Sequence, residues 1–258
     1  MDPTARSFVS RPLRALLHSP VARALVHPRS VEDYVGLFHP TWSLTSIRAR
    51  VVEVRREDRE TTSLYVEPNA QWPGFRAGQF VVLTATVNGA RVSRPLSLAC
   101  APEDGLPLRL TMRAVPGGRL SEWVRHVCRV GHVMELSAPA GEFVLPEPRP
   151  QRLLFVTGGS GVTPVVAILR HLAATGYTGA VASLHFARGP VLFEEELRAV
   201  TRRFPAAQMH IQRTGGRAED APRPRLDAEA LARVVPDWPA AEAFVCGPGP
   251  MMDAVEAA

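Results

Sequence analysis

The segment Gly158-Gly159-Ser160-Gly161-Val162-Thr163-Pro164 sits directly between an apolar run, Leu153 to Val156, and a helix-like stretch, Thr163 to Ala174. Glycines at this junction let the backbone turn tightly and approach a pyrophosphate, and the free N–H groups and positive end of the helix that follows favour its charge. Pro164 suits the first helical turn, where its missing donor costs nothing. The same grammar continues with a strand at 181–186, a helix at 193–204, a strand at 208–212, a helix at 228–235, a strand at 243–246 and a last helix from near Pro250. Strict alternation of this kind predicts a parallel sheet covered by helices. A second turn, Cys246-Gly247-Pro248-Gly249-Pro250-Met251, follows the last strand, where such sheets take their ligands. Cys246 alone reads as a small buried hydrophobe. Its place beside a stiff Gly-Pro turn directs it instead to a cofactor cleft.

Upstream the period changes. Residues 47–54, 63–66, 79–86, 92–98 and 108–114 read as strands, with Asn88-Gly89 marking a tight hairpin, and a helix at 121–127 precedes a further strand at 132–137. Antiparallel strands with one helix predict a small closed barrel. The proline-rich stretch 139–151 reads as a linker. The expected organisation is a helical extension at 1–43, a barrel domain at 44–138 and an α/β domain at 152–258. The fold class is therefore β barrel plus α/β. The extension carries leucines and valines at helical spacing, which fits a strap on the main body, with a helix for a partner or a membrane surface as the alternative.

Two barrel motifs carry chemistry. Arg94-Pro95-Leu96-Ser97 ends a strand and Gly117-Gly118-Arg119-Leu120-Ser121 opens a helix. An arginine clamps phosphate with two donors, and a helix start preceded by glycines offers N–H groups to further phosphate oxygens. Together they point to a dinucleotide pyrophosphate on the barrel, opposite the one on the α/β domain. Ser121 alone is an ordinary capping residue.

Composition narrows the chemistry. All 30 basic residues of the 258 are arginine, which removes a Walker-type lysine, a Schiff base and a lysine general base. The net charge of +5 comes from scattered arginines, so a nucleic-acid partner is not expected. Cys100, Cys128 and Cys246 form no C-x-x-C, which excludes a disulfide framework and a metal site within the chain. No apolar stretch approaches the roughly 20 residues of a membrane-spanning helix, and a soluble cytoplasmic protein is expected.

The order Arg-x-x-Ser, Gly-x-x-Ser, Gly-Gly-x-Gly-x-Thr-Pro and Cys-Gly-Pro-x-x-Met resembles the ferredoxin-NADP reductase superfamily over residues 44–258. The resemblance implies FAD on the barrel and NADP, or NAD, on the second domain, with hydride passing from nicotinamide to flavin. It implies that Arg94 contacts the FAD pyrophosphate, with Pro95 and Leu96 beside it, and that Ser97 hydrogen-bonds the flavin ring near its hydride-accepting nitrogen. Gly117, Gly118 and Ser121 would hold phosphate, and Arg113 stands where the family puts a basic flavin or phosphate contact. Gly158, Gly159, Gly161, Thr163 and Pro164 would bind the nicotinamide cofactor's phosphates. Cys246, with Gly247, Pro248 and Met251, would lie near the nicotinamide, and Arg188 matches a position that pairs with the 2′-phosphate of NADPH.

The extension, His27-Pro28 through Trp42, is similar to that of actinobacterial reductases that drive desaturases or oxygenases through a fused ferredoxin domain. An iron-sulfur partner is therefore expected outside this chain. Two departures stand out. Leu96 replaces a customary tyrosine, and the final helix stops at Ala258 without the closing strand, so a C-terminally incomplete second domain is expected. A non-catalytic flavin- or nucleotide-binding regulatory module is the competing reading.

Overall fold

The computed structural model describes residues 41–43, 45–213, 235 and 240–256. The extension up to residue 40 and all but Val235 of the helix expected at 228–235 lie outside them. Six strands build the first sheet: β1 (Ile47–Arg56), β2 (Thr61–Pro68), β3 (Phe80–Val87), β4 (Ala90–Ser97), β5 (Leu108–Arg113) and β6 (Val133–Leu136). They run antiparallel in the order β4-β3-β6-β1-β2-β5. Along β1, Ile47, Ala49 and Val51 point inward while Arg48 and Arg50 point out, the period of two that one buried face demands. Asn88 and Gly89 both take positive φ, +50° and +77°, as a two-residue hairpin matched to strand twist requires. A bridge between Leu98 and Leu110 brings the ends of the sheet together. The Ala99 N–H adds a bond to the Arg109 carbonyl at 2.8 Å, so the sheet closes around Val51, Leu64, Val81, Leu83 and Leu110.

One helix, α1 (Arg119–His126), packs against β3 and β4 through Leu120 and Val124, one turn apart on one face. It begins two residues before the expected start because Gly118, in extended geometry, serves as its N-cap. The linker has no regular element, yet it is anchored: Ala140 bridges Phe80, and Leu145 is buried in the core of the second layer.

That layer is a parallel sheet of β7 (Arg152–Gly158), β8 (Ala180–Ala187), β9 (Ala207–Arg213) and β10 (Glu242–Cys246), in the order β10-β7-β8-β9. β7 is buried on both faces from Leu153 onward, so its apolar run does not alternate. Phe155 faces the core under α2 (Val162–Ala174) and α3 (Glu194–Thr201), whereas Leu154 and Val156 face a second cluster. The chain winds from β7 to β8 to β9 on one side and then returns to place β10 on the other side of β7. The reversal of winding thus falls between β7 and β10, the kind of position at which open α/β sheets bind ligands. The last helix, α4 (Gly249–Glu256), follows at once. α3 is shorter than the expected 193–204: Phe193 adopts φ +60° and starts the helix one residue late, and Pro205 bars continuation beyond the following turn.

Candidate functional site

At the reversal point the two glycine turns lean on each other backbone to backbone. Cys246 of β10 is paired with Thr157 of β7, so both strands end side by side. A Cβ placed on Gly161 would stand 2.1 Å from the Cys246 carbonyl oxygen, and one on Gly247 would stand 3.0 Å from the Gly158 nitrogen. A Cβ on Gly158 would meet the Met251 sulfur and the Pro248 ring, each at 2.9 Å. Gly158, Gly161, Cys246, Gly247, Pro248 and Met251 therefore form one cluster. Gly159 needs its glycine for another reason, a φ of +56° with open space around it. Residues Gly159–Gly161 make a single tight turn that runs into α2, and Pro164 lies buried in the helix's first turn. The Thr163 hydroxyl donates to the Ser160 carbonyl at 2.9 Å, which pins the turn to the helix.

The N-cap of α2 is Gly161, and among the described residues no side chain caps the helix, so its amino end keeps its positive field. Burial pushes the half-buried Cys246 thiol above the ordinary range and keeps it neutral at physiological pH. Arg188 is exposed just past β8, whose last residue, Ala187, pairs with Arg213 of β9.

On the barrel, α1 likewise starts without a capping side chain. Gly117 takes φ +73°, and a Cβ on Gly118 would lie 2.5 Å from the Ser121 hydroxyl and 2.9 Å from the Val115 carbonyl. Ser121 holds this loop shut, accepting from the Val115 N–H at 3.2 Å and donating to the Gly118 carbonyl at 3.1 Å. Arg94 is exposed on β4, next to which α1 packs, and its Nη1 donates to the Ser93 carbonyl at 2.7 Å. Pro95 is exposed, Leu96 packs partly against the barrel core, and half-buried Ser97 pairs with Phe80 of β3. Arg113 pairs with exposed Glu60, its Nε and Nη2 both donating to one carboxylate oxygen, at 2.9 and 2.7 Å. A helix start with glycine at its N-cap, a cradle that only glycine fits and the exposed Arg94 on the strand against which α1 packs are donors suited to a dinucleotide's phosphates, and the double turn on β7 and β10 offers a second set. Among the described residues no cluster of histidine, cysteine and carboxylate side chains could hold a metal ion.

Two features escaped the sequence patterns. His185, 1% exposed, shares a 2.8 Å hydrogen bond between Nδ1 and the Thr157 hydroxyl directly below the glycine turn. Its Nε2 is buried without a partner among the described residues. The other is a run of ion pairs between barrel and α/β layer, centred on Arg109. Strand-end threonine before a glycine turn was the available signal for the first. The second has none, because its members lie far apart in the chain.

Residues 50–145 match the family described as the oxidoreductase FAD-binding domain, and residues 155–257 match the oxidoreductase NAD-binding domain. An NADPH oxidoreductase of Mycobacterium tuberculosis is 33% identical over 234 residues, covering 88% of this chain and 60% of that protein. The crystal structure of an Amycolatopsis cytochrome P450 reductase, GcoB, superposes with a TM-score of 0.70 at 26% identity, over 82% of this chain and 65% of that one. Phthalate dioxygenase reductase, described as a modular structure for electron transfer from pyridine nucleotides to [2Fe-2S], gives a TM-score of 0.64 at 25% identity, over 82% of this chain and 63% of that one. The chain thus spans about three-fifths of the length of the curated relative at 33% identity.

Proposed function

The chain belongs to the ferredoxin-NADP reductase superfamily, carrying its FAD-binding and NAD-binding domains in order, and on that footing we propose that it is an NAD(P)H-dependent flavin reductase feeding single electrons to an iron-sulfur partner of an oxygenase or desaturase. In this reading residues 44–138 hold FAD, 139–151 link, 152–258 hold the nicotinamide cofactor, and the protein works in the cytoplasm. The observation that carries it is the mutual packing of the turns at Gly158–Gly161 and Cys246–Met251 at the sheet's reversal point.

FAD, when bound, converts a two-electron hydride into single electrons. The chain's residues bind and orient. Arg94 and the first turn of α1 take the FAD pyrophosphate, with Gly118 and Ser121 shaping the cradle. Ser97 offers a hydroxyl to the flavin ring. Gly159, Gly161 and the start of α2 take the second pyrophosphate, and Cys246 presents a neutral thiol beside the nicotinamide. Hydride transfer of this kind requires no side-chain nucleophile or acid-base pair. Support for an iron-sulfur partner comes from the phthalate dioxygenase reductase likeness. The decisive experiment is anaerobic addition of NADPH to the purified yellow protein. Bleaching of the flavin absorbance, restored by a one-electron acceptor, is expected. Colourless protein that still binds nucleotide would replace this reading with a regulatory binding module.

Two substitutions test the assignments. Arg94→Ala removes a charge-assisted phosphate contact, so flavin affinity should fall roughly tenfold to hundredfold. The ratio of flavin to protein absorbance after purification reads this directly, and full occupancy would place the pyrophosphate elsewhere. Arg188 gives the expectation that NADPH is favoured over NADH by about tenfold to hundredfold, the worth of one charge-assisted contact. Arg188→Ala should erase that ratio in kcat/KM while leaving NADH use unchanged. A wild type that uses NADH equally well makes Arg188 an ordinary surface residue.

A further inference from the structure

The barrel and the α/β layer meet along a seam that is apolar at one end and ionic at the other. At the apolar end a Cβ on Gly78 would stand 1.9 Å from the Phe143 carbonyl oxygen and 3.0 Å from Ile168 of α2. Ala77 and Ala99 of the barrel rim join the core of the second layer there. At the ionic end the charges form an unbroken chain that crosses the seam twice. Arg109 of β5, only 7% exposed, donates from Nη2 to Glu57 at 3.0 Å and from Nη1 to Glu196 of α3 at 2.7 Å. Its Nε lies 3.5 Å from the Ser63 hydroxyl, and its guanidinium lies 3.8 Å from the ring centre of Phe193. The other oxygen of Glu196 accepts from Arg170 of α2 at 3.0 Å. Arg170 returns to the barrel with a two-pronged contact on Asp104, at 2.6 and 2.8 Å. Beside it, His171 meets Glu103 at 2.9 Å.

Apolar side chains of like volume would join two layers as strongly as a buried ion pair, because desolvation offsets most of the attraction. What a planar fork adds is geometry: it fits a carboxylate in one orientation. A slide of one layer past the other would break Arg109–Glu196 and Arg170–Asp104 together. Phe193 holds a left-handed backbone, costly for a bulky residue, beneath the same guanidinium. If the barrel carries one reacting cofactor and the α/β layer the other, their approach distance is set at this seam.

Resting on the reading above, we infer that Arg109 is a positioning residue: through Glu196 and the Arg170–Asp104 pair it fixes the placement of the two cofactor-bearing layers for hydride transfer. The test compares wild type with Arg109→Met, Arg109→Lys and Glu196→Gln. Flavin content, the NADPH dissociation constant and the rate of flavin bleaching at saturating NADPH are measured, with calorimetric unfolding as a readout independent of turnover. In Arg109→Met the dissociation constant should stay within about threefold while bleaching slows about a hundredfold, the loss a misplacement of roughly 1 Å produces. Glu196→Gln, which keeps one donor-acceptor contact and the fold's volume, should slow it about tenfold, and lysine at 109 should recover part of the methionine loss. Wild type should unfold in a single transition, and that transition should split in two in Arg109→Met. Wild-type bleaching in all three variants with one shared transition, or a rate loss matched by an equal loss of NADPH binding, would overturn the inference. Wild-type protein that takes no flavin would sink the functional reading alone, and the role of Arg109 in joining the two layers would then stand or fall on whether the transition splits.

Discussion

Alanine at position 161 is expected to drive apart the two turns that make the nucleotide site. Gly161 has ordinary right-handed helical geometry, φ −60° and ψ −9°, so the substitution carries no backbone strain of its own. The obstacle is contact: the new methyl would sit 2.1 Å from the Cys246 carbonyl oxygen and 2.6 Å from its carbon. Neither is the free end of a flexible side chain. Both belong to the end of β10, which is paired in parallel with β7, Cys246 standing opposite Thr157. Relief therefore requires moving the start of α2 or the end of a strand, and α2 is buried along most of its length. Overpacking of this kind costs about 3 kcal/mol, and the variant should show a lower urea midpoint together with loss of saturable NADPH binding. Gly159→Ala is the internal control, since that residue has φ +56° and nothing within 4 Å. It should cost only about 1 to 2 kcal/mol, the ordinary penalty for a left-handed alanine. If Gly161→Ala is as mild as Gly159→Ala, the turns are not held together by this approach.

The contrast between these glycines shows which parts of the molecule were legible in the chain. Glycine and proline mark backbone requirements, so the turns at 158–164, 246–251 and 88–89 could be placed from sequence, and the strands between them followed from their periods. The reason for each glycine could not. Gly159 serves conformation and Gly161 serves contact with a residue 85 positions away, and only the fold distinguishes them. Charged residues are harder still. Arg109, Glu196, Arg170 and Asp104 carry no mark in the sequence, because a long-range ion pair leaves no local pattern. Arg113 is singled out through its family position, whereas its exposed pair with Glu60, through Nε and Nη2, has no signal in the chain. Phe193 reads as the first residue of a helix, as an aromatic beside three glutamates would, whereas the stacking of Arg109 on its ring accompanies a left-handed turn.

His185 also goes unmarked by the sequence, a buried histidine in the largely apolar strand β8, and it should govern the acid stability of the protein. Burial pushes its imidazole down to about 4 from the ordinary 6.5, and Glu194, at the start of α3, opposes the shift only weakly. Glu194 is itself held by Arg198 and Arg213, which draw on its negative charge. With Nδ1 bonded to Thr157 and Nε2 enclosed, the ring has no room for a charged form. A group whose folded value is depressed below its unfolded one favours folding above 6.5. As the pH falls from 6.5 towards 4 the unfolded chain takes up a proton that the native state refuses, so stability drops by about 1.4 kcal/mol per pH unit, roughly 3 kcal/mol in all. Below about 4 both states are protonated and this contribution stops changing. His185→Gln keeps a hydrogen-bonding side chain without the titration, so its unfolding free energy should be flatter than that of wild type between these limits. Urea midpoints at pH 7.5 and 4.5 measure the difference, which should reach about 2.5 kcal/mol. Because Asp104 and Glu194 have carboxyls held below their usual range, their own losses come in both proteins and cancel in the comparison. Parallel pH profiles for the two proteins would mean that His185 is charged in the fold, with an acceptor at Nε2.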